Sequence, residues 1–195
     1  VYRYPSVDET ASFQGYPLAS PLNVELQPET GANLETGIKL TGENWQIGWT
    51  LFRMLMEEEI VFDEDARLNV NLGATERRGL EISGGIHREQ WGASGNFSWL
   101  SAVFDDRRLA YHGSRIPLVP ELEAGISLWR SLPGNLRLRG HVRYLGRQYQ
   151  GNDFENQRRL IGDHALMSLY LRWTPTRDLM LGIGVENLTD KTYAI

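Results

Sequence analysis

Three groups of side chains in this sequence have the types and spacing to do chemistry. The first is a ladder of basic or titratable residues, Arg137, Arg139, His141 and Arg143, at every second position. Alternate residues share one face of an extended chain, so the ladder would offer anions a line of hydrogen-bond donors. It could guide an anionic substrate or dock an acidic protein surface. The second group is Tyr111, His112 and Arg115, with Tyr16 in an earlier loop stretch. Such residues could touch a metal chelate or another anionic ligand, against the plainer reading of polar loops. The third is the acidic triplet Asp63-Glu64-Asp65. Its oxygens suit Ca²⁺, but EF-hand spacing is missing, and a solvated loop is the simpler reading. Asp105-Asp106 before Arg107-Arg108 reads the same way.

Catalysis finds no footing. No Ser–His–Asp set, metal-ligand spacing or phosphate loop is present. Gly182-Ile183-Gly184 lacks the third glycine and the helix of a dinucleotide fold. Glu121 and Glu123 share a face, but nothing suggests a catalytic carboxylate pair. No enzyme, cofactor or bound metal is expected.

The elements that must position these groups are strands. From Ala165 the odd positions read Ala, Met, Leu, Leu, Trp and the even ones Leu, Ser, Tyr, Arg. From Asn135 the even positions are Leu136, Leu138, Gly140, Val142 and Tyr144, and the odd ones carry the basic ladder. A helix would scatter those arginines, whereas a strand gathers them on one face. The same period of two recurs at 33–40, 44–51, 80–87, 91–99, 121–128 and 179–186. That gives eight strands, with a possible strand end at Val1–Tyr4. Composition agrees with an ordered β protein. Among 195 residues are six Trp, eight Tyr and six Phe, too many aromatics for a disordered chain. A net charge of −5 argues against nucleic acid, and the absence of Cys excludes disulfides. Val1 is no natural start and no signal peptide is present, so the chain reads as a cut piece.

The connections alternate in length. Thr41–Glu43, Arg88–Glu89, Leu132–Gly134 and Pro175–Arg177 are tight turns, and long stretches lie between them at 5–31, 63–72, 105–119 and 150–162. An antiparallel meander with every tight turn at one end has the asymmetry of a transmembrane barrel. A soluble sandwich mixes loop lengths at both ends. Charge on the apolar face agrees, because it is confined to strand ends. Counting from Asn44 at about 3.3 Å per residue and a tilt near 45°, Arg53 lies roughly 21 Å up a band about 25 Å tall. Arg88 and Arg130 lie at the tight-turn end, where Trp45, Trp91 and Trp173 suggest an aromatic girdle. The alternative is a soluble β-sandwich that binds carbohydrate through exposed Trp and Tyr.

Several motifs, in order, resemble those of TonB-dependent outer-membrane receptors. They are Tyr2-Arg3-Tyr4-Pro5 with Glu9, Leu26-Gln27-Pro28-Glu29, Glu35-Thr36-Gly37, Arg78-Gly79-Leu80-Glu81, Ile116-Pro117-Leu118-Val119-Pro120 and Asn187-Leu188-Thr189-Asp190 ending at Tyr193. The resemblance implies that residues 1–195 are the C-terminal portion of the receptor barrel, about nine of roughly 22 strands, lacking the plug domain and the last strand. It implies a Gram-negative outer-membrane location and lipid contact. It also implies uptake of a scarce nutrient (a ferric siderophore, haem or cobalamin) energised through the TonB complex. Tyr16, Tyr111, His112 and Arg115 would then sit in extracellular loops as ligand contacts. Glu35, Glu81, Arg137, Arg139, His141 and Arg143 would face the lumen and the plug. Gly37 and Gly79 would let a plug or a bulge approach the backbone. A lipase-like enzyme of the outer membrane would need a nucleophile beside His141.

Overall fold

The computed structural model describes residues 2–10, 23–63 and 68–193. In chain order the elements are β1 (Tyr2–Arg3), α1 (Val7–Thr10), β2 (Glu29–Thr41), β3 (Trp45–Glu57), β4 (Ile60–Asp63), β5 (Leu68–Asn71), β6 (Thr75–His87), β7 (Trp91–Phe104), β8 (Leu122–Leu132), β9 (Leu136–Leu145), β10 (His164–Trp173) and β11 (Leu181–Val185). Nine of them form one sheet in the order β1-β2-β3-β6-β7-β8-β9-β10-β11. Every pairing is antiparallel, so the sheet is a plain up-and-down meander.

The register separates two chemistries. Trp45, Ile86, Ala93, Leu128, Gly140, Leu169 and Val185 are successive cross-strand partners across seven strands. One residue along each strand, Gln46, Gly85, Ser94, Ser127, His141 and Ser168 form the next such row. Adjacent residues point to opposite faces, so the first row belongs to an apolar face and the second to a polar one. Leu34, Ile38, Leu40, Ile47, Leu51, Trp91, Phe97, Ile126 and Ile183 extend the apolar face and are all exposed. A sandwich would cover them with a second sheet. Among the described residues the second sheet is the hairpin β4–β5, with four residues per strand. The sandwich reading therefore fails. Strands β2, β3, β6 and β7 have 13, 13, 13 and 14 residues, more than the 9–11 needed to cross a bilayer at about 45°. No helix among the described residues is long and apolar enough to do so.

Three features differ from the expectation. Strands β3, β6 and β7 run further into the long-loop end, where Met56, Thr75 and Phe104 are successive partners. Arg53, Glu76 and Arg78 break the apolar alternation there, while the backbone ladder continues regardless of side-chain polarity. Within the stretch 63–72, expected to be loop, Leu68–Asn71 form β5 and pair with β4, in strands too short to show a period. Helix α1 is a single turn with a capping box: the Glu9 N–H donates to Ser6 Oγ at 3.3 Å, and the Ser6 N–H donates to Glu9 Oε2 at 2.7 Å. That backbone donor holds the Glu9 carboxyl below its ordinary range.

The tight turns hold their positions. The Gly42 N–H donates to the Trp45 carbonyl at 2.8 Å, and the Arg88 N–H to that of Trp91 at 2.8 Å. Pro133, Gly134 and Asn135 form a three-residue turn between the partners Leu132 and Leu136, closed by the left-handed φ of 77° at Gly134 and 60° at Asn135. At the other end, the buried apolar side chains among the described residues are Met56, Leu72, Ala102 and Phe104. The apolar core of the described residues lies under the long loops.

The two faces can be told apart by substitution in the full-length protein. Phe97 sits on the apolar face between Ile82 and Ala124, and Ser98 on the polar face between Glu81 and Glu123. Phe97→Arg is expected to cost roughly 2–4 kcal/mol of stability in lipid vesicles, and Ser98→Arg less than about 0.5 kcal/mol. Equal losses in urea unfolding would refute the assignment of faces.

Candidate functional site

The long-loop end is held by a small aromatic cluster. Phe104, fully buried at the end of β7, meets Tyr111 at 4.8 Å and 72° and Phe154 at 5.7 Å and 88° between ring centroids. Tyr111 and Phe154 lie 5.6 Å apart. Edge-to-face pairs contribute about 0.5–1.5 kcal/mol each beyond burial. Tyr111 belongs to the β7–β8 connection and Phe154 to the β9–β10 connection, so the rings tie two loops together.

Polar clasps complete the join. Asn156 Oδ1 accepts the Arg115 N–H at 2.6 Å, and its Nδ2 donates to the Arg115 carbonyl at 2.9 Å. The side-chain amide thus pairs with Arg115 as a strand backbone would. Asp153, buried, accepts the N–H groups of Gln157 at 2.9 Å and Arg158 at 3.0 Å. Asp106 accepts the Arg108 N–H at 2.9 Å and its guanidinium at 2.6 Å. The guanidinium, helped by the backbone donor, holds the Asp106 carboxyl down at about 2. Burial raises the Tyr111 phenol, with the charges of Asp106 and Asp63 adding to it. On the β3–β6 connection, Glu59 accepts from Thr75 Oγ1 and from Arg77 Nη1, the latter at 2.8 Å. Asn71 clasps Gln27 in both directions, at 2.7 and 2.9 Å.

The expected ligand trio is divided by this architecture. Tyr111 turns inward to the ring cluster. Arg115 is held through its backbone by Asn156 and through its guanidinium by Glu121. His112 is exposed. Tyr16 and part of the triplet Asp63-Glu64-Asp65 lie outside the described residues. Among the described residues no group of three His, Asp or Glu is placed to hold a metal ion. Arg115 does line a cavity of about 310 Å³ with Glu121, Tyr144, Arg147, Tyr149 and Leu160. Phe104, Phe154, Asp153 and Asn156 were not legible as site residues. The only signal was the turn-rich run Gly151-Asn152-Asp153 with Asn156.

The polar face gathers the basic ladder with a further arginine. Arg137 is the direct cross-strand partner of Arg172, Arg139 of Tyr170, His141 of Ser168 and Arg143 of Leu166. Arg137 lies over the Trp129 ring at 4.4 Å, His141 Nδ1 meets Ser127 Oγ at 2.8 Å, and Arg143 reaches Glu123 at 3.6 Å. Tyr170 donates to Glu186 at 2.8 Å. Arg137, Arg139, His141, Tyr170, Arg172 and Glu186 line a groove of about 870 Å³. Among the described residues Arg139 and Arg172 have no ion-pair partner. Glu35 and Glu81 occupy the same face on β2 and β6, with Glu35 accepting from Asn33 Nδ2 at 2.6 Å. The face is therefore basic on β9–β10 and carries acids on β2 and β6. Gly79, expected to admit a plug or a bulge, faces the Phe52 ring instead, which would lie 2.7 Å from a Cβ placed there.

The comparisons with known proteins agree with this architecture. The family model described as the TonB dependent receptor-like β-barrel matches residues 1–188. The chain is 24% identical over 204 residues to the pesticin receptor of Yersinia pestis, covering 97% of this chain and 29% of that protein. Its fold is similar to that of the ferric yersiniabactin uptake receptor FyuA from Yersinia pestis, with a TM-score of 0.72 at 24% identity, over 85% of this chain and 26% of that one. It is also similar to the copper transporter OprC, with a TM-score of 0.75 at 19% identity, over 99% and 30%. The chain thus spans under a third of the length of these relatives.

Two outcomes test the loop end. Phe104→Ala is expected to remove about 3–5 kcal/mol of local stability and expose both connections to limited proteolysis; unchanged cleavage would refute the join. The Asp106 carboxyl, lowered from 3.8 to about 2, stabilises the loop fully above the ordinary value and loses that contribution as pH falls through 2. An NMR titration of its carboxyl carbon should show the low midpoint. A midpoint at the ordinary value would mean that the Arg108 pairing does not form.

Proposed function

This chain belongs to the TonB-dependent receptor family of β-barrels, proteins of the Gram-negative outer membrane, and from that premise we propose that the intact protein takes up a ferric siderophore. The observation that carries the reading is the pairing of a clasped loop end with a basic wall on the lumen side. Siderophores surround Fe³⁺ with anionic oxygen donors, so their complexes favour cationic surfaces. The loop cavity at Arg115 and Arg147 would meet the chelate first, with exposed His112 contributing from the β7–β8 connection, Tyr16 from the stretch before β2, and Tyr111 bracing the loop from within. The unpaired arginines of β9 and β10 would then lower the cost of moving an anion along the lumen. The names of the ferric yersiniabactin receptor and of the ferric preacinetobactin receptor from Acinetobacter baumannii support the siderophore class over haem or cobalamin.

In this reading the chain is a C-terminal portion of the barrel. A plug domain and the remaining strands belong to the rest of the protein. At rest the plug presents carboxylates to Arg137, Arg139, His141 and Arg143 and cationic groups to Glu35 and Glu81. Energy delivered through the TonB complex loosens that contact and admits the chelate.

Uptake by iron-starved cells carrying the full-length protein tests the proposal, with ⁵⁵Fe-loaded catecholate, phenolate and hydroxamate chelates offered separately. One class should accumulate, and only when TonB is present. Arg139→Glu with Arg172→Glu is expected to lower its uptake about tenfold, roughly 1.4 kcal/mol, with the barrel still folded. Accumulation of haem or cobalamin instead, or no TonB-dependent uptake of any chelate, would overturn the siderophore reading.

A further inference from the structure

The outward face of β3 and β6 carries charge near its long-loop end. Arg53 and Arg78 are direct cross-strand partners, and both are exposed. Like charges placed directly opposite destabilise a strand pair. Glu76, on the same face, takes Arg53 at 2.6 Å between Nε and Oε1. That carboxylate pairs with Arg53 alone, and Arg78 has no ion-pair partner among the described residues. The spot keeps a net positive charge.

Its surroundings say what it meets. Towards the tight turns, Leu51, Leu80 and Trp99 form the adjacent row on the same face, and Leu34 lies directly across from Arg53. From Trp45 at the girdle to Arg53, at about 3.3 Å per residue and a tilt near 45°, the rise is roughly 19 Å of a band about 25 Å tall. The arginines therefore lie where acyl chains end and headgroups begin. The tight turns of such barrels face the periplasm, so this edge is in the outer leaflet. No water-soluble partner reaches the face below them. An occupant must lay acyl chain on Leu51, Leu80 and Trp99 and bring an anion to the arginines.

We propose that Arg53 and Arg78 clamp a phosphate on the headgroup of an outer-leaflet lipid, with Glu76 orienting Arg53. Two adjacent guanidinium forks match the oxygens of a phosphate better than they match a single carboxylate. Arg130, at the other end of the apolar face, has Trp91 and Leu138 as its cross-strand partners. It offers a single guanidinium and serves as the control. The proposal depends on the membrane setting but not on which nutrient is transported.

The test is native mass spectrometry of the full-length receptor in detergent, titrated with a diphosphorylated glycolipid and with its dephosphorylated form. Arg53→Gln with Arg78→Gln should weaken binding of the phosphorylated lipid at least tenfold, Arg130→Gln should leave it unchanged, and the dephosphorylated lipid should bind weakly to all three proteins. Should the double variant fail to fold, Arg78→Lys decides: it keeps the charge but loses the fork, and weaker binding supports the clamp. The proposal is overturned by unchanged affinity in the folded double variant or in Arg78→Lys, or by an equal loss in Arg130→Gln. Equal binding of the dephosphorylated lipid would also overturn it. Displacement of the glycolipid by inorganic phosphate at the same concentration would mean that a free anion, rather than a lipid, is the occupant.

Discussion

Hydrocarbon offers no partner to a peptide N–H or C=O, so a chain crossing it must satisfy those groups by itself. The rest of this structure depends on that constraint. Strand β6 shows the solution: residues from Thr75 to His87 pair with β7 on one side, and those from Thr75 to Ile86 pair with β3 on the other. A ladder of this kind fixes register, because a slip by one residue would turn every side chain to the opposite face. Here a slip would bring Gln46, Ser94 and His141 into the apolar row and send Trp45 and Leu128 into the polar one. Side-chain partition and backbone pairing therefore enforce one another, with no packed interior between them.

The absence of an interior moves folding information to the edges of the wall. Along the strands, a residue needs only the correct polarity for its face, and small shapes suffice, as Gly140 and Ala93 show within the apolar row. Beyond the ends of the long strands the sheet's ladder stops, and the connections must hold themselves. They do so with the means of a small soluble domain: buried Phe104, Leu72 and Met56, the ring contacts of Tyr111 and Phe154, and amide clasps at Asn71 and Asn156. The wall and the loop end are thus stabilised by different physics. Side chains in the loops can be exchanged without disturbing register, which leaves that end open to specialisation.

This division also explains what the sequence reveals. The wall is legible because period two is a collective signal: the ladder from Arg137 to Arg143 and the run from Ala165 to Trp173 each repeat one rule several times. The upper strand ends are less legible, since at Arg53, Glu76 and Arg78 the rule lapses while pairing continues. The loop end is illegible for a deeper reason. Its order comes from single contacts between distant residues, such as Asn156 with Arg115 and Phe154 with Phe104, and one contact has no period to detect. Where Tyr111, His112 and Arg115 turn is hidden for the same cause, as neighbours in a loop need not converge. The capping box of Ser6 and Glu9 is the local exception, because its two partners are three residues apart.

Fixed register has one further consequence. Arg137 stands opposite Arg172 on the polar face, and Arg53 opposite Arg78 on the apolar face. In a flexible sheet such pairs could slide apart. Here the apolar rows forbid any slide, so each pair is a standing repulsion of some tenths of a kcal/mol or more. Each is only partly offset: Trp129 lies under Arg137, and Glu76 takes Arg53 alone. Threonine or serine at these positions would satisfy the ladder equally well and remove the cost. The residual positive charge is therefore not something that folding requires. Among the described strands it marks two places where an anion arriving from outside the strand pair would raise stability, one on the polar face and the other on the apolar face.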